Sequence, residues 1–153
     1  MLEATPKHIF SNDFVVRSPL GSTTLDISSW RERARFELGG VPHQLYREGM
    51  MSGAFVLERA GVVIARAMKP SAFRSTFEIE FSGQRYTLRK LSAFSRGFGV
   101  FAGDRQVGSV APAGLFTRRT IADLPSEWPD AVELFVFWLV IVMWNRQQAA
   151  AAS

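Results

Sequence analysis

The chain has 153 residues, 47% of them hydrophobic, a net charge of +4 and no cysteine. That length suits one domain with a substantial core, and the missing cysteine excludes disulfides, thiolate metal sites, thiol catalysis and S-acylation. The charge rests on arginines dispersed along the chain; it favours anionic partners but forms no stripe of the kind nucleic-acid binding needs, so no nucleic acid is expected.

The opening stretch, MLEATPKHIF, has no apolar core of a signal peptide, which makes cytoplasmic residence the expectation, and residues 1–10 read as irregular and loose. Short strands follow at Phe14 to Arg17 and Thr23 to Ile27, around a Ser18-Pro19-Leu20-Gly21 turn. Arg33 to Leu38 stops at Gly39-Gly40, Val41 to Arg47 runs into a Gly/Met/Ser loop, and Ala54 to Glu58 reaches Ala60-Gly61 before Val62 to Met68.

Thr76 to Leu91 is the clearest unit, a hairpin about a Ser82-Gly83 turn. Its register places Ile79 opposite Tyr86 and Phe77 opposite Leu88 on one face, with Glu80 opposite Arg85 on the other. A slip of one residue would exchange the two faces, so the pairing is well specified. Phe98 to Ala102 and Arg105 to Val110 form another hairpin about Gly103-Asp104, and Phe116 to Ile121 is the last predicted strand. About twelve short strands at this turn spacing indicate a barrel or a sandwich.

The last apolar run, AVELFVFWLVIVMW from Ala131 to Trp144, decides between them. Fourteen helical residues span about 21 Å, short of the ~30 Å hydrocarbon core of a bilayer, so an integral membrane protein is not expected. On a helical wheel Leu134, Phe135, Phe137, Trp138, Ile141 and Trp144, with their apolar neighbours, occupy the whole circumference. Such a helix must be buried on every side. The expected fold is therefore mainly β, a closed antiparallel barrel of about twelve strands around a central C-terminal helix at about 130–147. Asp130 and Glu133 have the spacing of a capping-box variant, Arg146 lies near the negative end, and Ala149 to Ala152 read as a frayed tail, giving one domain over 1–148 and a disordered 149–153.

Chemical motifs are scarce. His8 and His43 lack partners at ligand spacing, no nucleophile elbow or P-loop occurs, and Glu78 and Glu80 read as a surface ladder with Arg85 and Arg89; no metal, no cofactor and no catalytic residue are expected. Gly97-Phe98-Gly99-Val100-Phe101-Ala102 matches G-x-G-x-x-A formally, but a strand follows it where a dinucleotide fold needs a helix. Its glycines read as relief beside a bulky core aromatic.

One constellation remains. VVIARAMKPSAFRSTFEI from Val62 resembles RQVGSVAPAGLFTRRTIAD from Arg105, as if two halves closed one barrel. The likeness puts Lys69 and Arg74, and likewise Arg118 and Arg119, on related rims beside Phe73, Leu115 and Phe116. Cations with apolar neighbours suit a lipid head-group surface.

The hydrophobic C-terminal helix DAVELFVFWLVIVMW, preceded by strand pairs such as FVLERAGVVIARA and FEIEFSGQRYTLRK, resembles the tubby-like superfamily: the tubby C-terminal domain, the LURP-one-related proteins and the phospholipid scramblases. The resemblance covers roughly Arg33 to Gln147 and implies a twelve-stranded barrel threaded by its last helix. It carries over no functional residue, and the absence of cysteine removes the palmitoylation of scramblases. What it implies is attachment to anionic membrane lipid; with the missing catalytic motifs and signal peptide, the expectation is a non-enzymatic binding or tethering module, cytoplasmic and peripheral at the membrane. A protein-interaction domain and a carrier barrel for a small apolar ligand are the alternatives.

Overall fold

The computed structural model describes residues 1–8, 11–19, 21–49, 53–70 and 74–153. Among these residues twelve strands precede one helix. They are β1 (Leu2–Pro6), β2 (Phe14–Ser18), β3 (Gly21–Ser28), β4 (Arg33–Leu38), β5 (Val41–Arg47) and β6 (Ala54–Arg59), then β7 (Val62–Met68), β8 (Thr76–Phe81), β9 (Gln84–Lys90), β10 (Phe98–Ala102), β11 (Arg105–Pro112) and β12 (Thr120–Asp123), before α1 (Asp130–Ala152). Each strand pairs antiparallel with its neighbours in sequence, and β1 pairs with β12 to close the barrel.

Alternation explains the walls. Ala34 and Phe36 on β4, Leu45 on β5, Phe77 and Ile79 on β8 and Leu88 on β9 point inward and are buried, while the residues between them face out. The hairpin of β8 and β9 has the expected register, with Ile79 opposite Tyr86, Phe77 opposite Leu88 and Glu80 opposite Arg85. Ser82 and Gly83 both take positive φ, as a tight hairpin turn requires.

The helix fills the lumen. Every residue from Ala131 to Trp144 is buried, Leu134, Phe135, Phe137, Trp138, Ile141 and Trp144 among them. Phe137 meets Phe14 edge-on at 5.2 Å, and Trp138 meets Phe55 at 5.8 Å, so one helix touches β2 and β6. Nothing is left for water because nothing faces it. Among the described residues no helix is long and apolar enough to cross a membrane.

Several expectations need correcting. Residues 2–6 are not loose: Leu2 and Ala4 are buried, and β1 supplies the closing pair of the barrel. The capping box is absent, because Pro129 occupies the cap and Asp130 instead accepts a hydrogen bond from Ser18 at 2.7 Å. The helix runs to Ala152 rather than ending near 147, since alanine is the best helix former. The last strand begins at Thr120, not Phe116, because the ladder with β11 stops where Thr120 faces Pro112. Finally, the echoing pairs β7–β8 and β11–β12 are offset by four strands, a third of the barrel and not half, so they do not mark two halves.

Candidate functional site

Strictly alternating strands sort the connections by end. The turns at 19–20, 39–40, 60–61, 82–83 and 103–104 share one end with the helix entry; the connections 7–13, 29–32, 48–53, 69–75, 91–97 and 113–119 share the other, where the helix leaves. Lys69 and Arg74 therefore do lie at the same end as Arg118 and Arg119, a third of the way round the rim. Phe73 lies outside the described residues.

Their surroundings differ. Lys69 is half-buried, and burial, with Arg146 nearby, pulls its pKa down. Arg74 is exposed. Arg118 is exposed too, donating to Ser11 O at 2.7 Å with its guanidinium 5.7 Å from the Phe14 ring. Arg119 lies 3.5 Å from Glu3 across the outer wall, a weak pair at this exposure.

The rim holds more than the internal likeness pointed to. Trp30 is 82% exposed with Arg31 stacked on it at 5.0 Å, and Phe94 and Phe116 are fully exposed, with Leu115 nearly so. Arg96 lies over Trp144 at 4.8 Å and its carbonyl accepts that indole N–H at 3.0 Å, which fixes the connection 91–97 to the helix end. A signal for this was present: Phe94-Ser95-Arg96 repeats the spacing of Phe116-Thr117-Arg118, and Phe73-Arg74 is a shorter version in the sequence. Between the helix end and four connections runs a groove of about 640 Å³, lined among others by Arg96, Leu115, Phe116, Arg118, Ile141 and Trp144.

The acids of this rim are already engaged. Glu32, half-buried and held at φ 51°, accepts two hydrogen bonds from Arg146 at 2.6 and 2.8 Å and pairs with Arg47 at 3.1 Å. Glu48 pairs with Arg66 at 2.8 Å, and Asp13 accepts the Ile27 N–H at 2.8 Å. Asn145 bonds Ser29 and Gln147 bonds Ser75, so the emerging helix is tied to the connections around it. By sequence the connections of this end carry seven lysines and arginines against three acids, a net positive charge.

Other candidates resolve structurally. His8 is exposed on the long-connection end; His43 is buried near the turn end, stacked on Phe36 at 4.7 Å with Nδ1 2.9 Å from Val41 O, and burial lowers its pKa. Among the described residues no cluster of three or more histidines and carboxylates could hold a metal. Glu80 pairs with Arg85 at 3.4 Å, whereas Glu78 accepts from Thr87 and Arg89 lies over Phe101 at 4.0 Å, so Arg89 does not join the expected ladder. A Cβ on Gly99 would fall 2.7 Å from the Phe101 ring, which accounts for that glycine; the aromatic concerned packs on the outer wall under Arg89. Neither a protein-family model, a curated protein nor a solved structure matches the chain.

Proposed function

We propose that this protein is a non-enzymatic tethering module of the cytoplasm whose long-connection rim attaches peripherally to anionic membrane phospholipid. The observation that carries the reading is the balance of charge at that rim: Glu32 and Glu48 are paired with the protein's own arginines and Asp13 accepts a backbone N–H, while Arg31, Arg74, Arg96 and Arg118 keep their charge on exposed loops, Arg118 also donating to Ser11 O. A cation held at an anionic surface contributes about 1 kcal/mol, and several on one rim act together within a screening length of about 8–10 Å. A twelve-stranded barrel threaded by its last helix is what a tubby-like chain would have, and membership of that superfamily is part of this proposal.

A carrier barrel is disfavoured, because Phe135, Phe137 and Trp138 occupy the space that cargo would need. The test is co-sedimentation with neutral and with anionic vesicles at low and high salt, using the wild type and an Arg118→Ala/Arg119→Ala pair. Binding should require anionic lipid, fall with salt and weaken about tenfold in the pair. Absence of binding at every salt concentration would retire the lipid reading in favour of a protein partner.

A further inference from the structure

The aromatic tips of the rim are not explained by charge. We infer that Trp30, Phe94, Leu115 and Phe116 enter the acyl region of the bilayer, so that the protein recognises a membrane whose lipid packing leaves room for them. This rests on the tethering reading above and says what holds the protein once charge has brought it in.

The argument begins with cost. A large apolar side chain in water is unfavourable, and isolated ones are tolerated, but four on the tips of three connections at one end of a barrel form a pattern. No aromatic is exposed at the turn end among the described residues; the exposed apolar groups there are Met1, Val62 and Val63. The rim pattern is also paired with charge. Arg31 stacks on Trp30, and Arg96 and Arg118 follow Phe94 and Phe116 at the same spacing, so each inserted ring would bring a guanidinium to the level of the phosphates.

Shape selects the occupant. The exposed side chains stand on three separate connections, 29–32, 91–97 and 113–119, around the end from which the helix emerges, whereas a protein partner covers one closely packed patch. A fluid bilayer accepts separate points independently. From Gln147 to Ala152 the helix side chains carry no charge, two glutamines being followed by alanines, so these side chains can lie at the interface without desolvating a charged group of their own. The barrel then stands on its rim, with the helix axis steep to the surface.

Trp30 supplies the readout, since Trp128, Trp138 and Trp144 are buried. The experiment titrates the purified protein with large and with small vesicles of one phosphatidylcholine–phosphatidylserine composition, with and without brominated acyl chains. Emission should shift to the blue and be quenched by bromine, both effects vanishing in Trp30→Phe, and small vesicles should bind more tightly at equal charge. A Phe94→Ser/Phe116→Ser pair should bind about a hundredfold more weakly, about tenfold per ring, with an unchanged melting temperature. Anionic vesicles that bind wild type and serine pair alike, with Trp30 unshifted and full release by salt, would overturn insertion and leave tethering in place. No vesicle binding at all would overturn both. A dimer that the serine pair dissolves, with Trp30 indifferent to lipid, would overturn insertion in favour of a second copy of the chain.

Discussion

At the end where the helix enters, neighbouring strands are joined by two residues; where it leaves, by four to seven. The turn end is specified by backbone conformation: Gly39, Gly40, Gly61, Gly83 and Gly103 all have positive φ. Its connections carry Asp104 and Glu127 and neither lysine nor arginine. The long-connection end is specified by side chains, with its acids engaged internally and its aromatics and arginines displayed. One barrel thus keeps an end that makes the fold and an end free to do something else, which is how loops carry function on a rigid scaffold.

The largest effect should come from what both ends share. Trp138 is fully buried between Phe55 and Phe135, and Trp138→Ala should destabilise the protein by about 3–5 kcal/mol. Because the lumen is one packed cluster, chemical denaturation should still show a single transition, with near-UV circular dichroism and intrinsic fluorescence lost together. Separate transitions for the two ends would break the comparison at its base.

The second effect belongs to the turn end. Glu133 is 3% exposed inside the barrel, and burial, opposed by the Met1 ammonium and reinforced by Asp130 and Asp123, raises its pKa to about 7. The folded state therefore favours the protonated carboxyl. Its contribution is complete below about 4.5 and is lost as pH rises through about 7, amounting to about 3 kcal/mol. Glu133→Gln should flatten the difference in melting temperature between about pH 5 and about pH 8, and should stabilise the protein at the higher value. An unchanged pH profile would show that Glu133 reaches solvent in the folded protein.

How much of this could be read in advance follows from the range of the interactions. The helix was legible because all-round hydrophobicity has one solution, and the hairpin of β8 and β9 because Ser82-Gly83 fixes its register locally. β1 was not, since Leu2 and Ala4 gain their meaning only by pairing with β12 at the far end of the chain. Asp130 and Glu133 had cap spacing, yet Pro129 took the cap and packing buried the glutamate. At the rim, likeness between two segments placed Lys69, Arg74, Arg118 and Arg119 at one end, where the alternation of strands also sets them. Arg31 and Arg96 escaped because neither lies in those two segments, although Arg96 follows Phe94 at a spacing the sequence repeats. That Glu32 would be occupied by Arg47 and Arg146 was not readable at all, being a contact between strand, turn and helix far apart in sequence.

That clamp supplies the third effect, at the long-connection end. Glu32→Ala leaves Arg47 and Arg146 facing each other without the carboxylate between them, and should cost about 1–2 kcal/mol given partial solvent access. Hydrogen exchange should quicken in 29–32 and in the helix beyond Trp144 while the turn end keeps its protection. Uniform loss of protection at both ends would mean that the clamp supports the whole barrel rather than its rim.

The smallest effect sharpens the contrast most. Gly83 has φ of 71° and open space where a Cβ would stand, so Gly83→Ala meets no neighbour and pays only for the left-handed backbone, about 1 kcal/mol. Phe94→Ser alters a fully exposed ring and should leave stability within about 0.5 kcal/mol. Denaturant midpoints and vesicle partitioning, measured on both variants, should therefore move in opposite patterns. Gly83→Ala lowers the midpoint and leaves partitioning alone; Phe94→Ser leaves the midpoint and weakens partitioning about tenfold. If Phe94→Ser instead lowered the midpoint, its ring would be packing against the fold in solution, and the long-connection end would be structural in the same sense as the turn end.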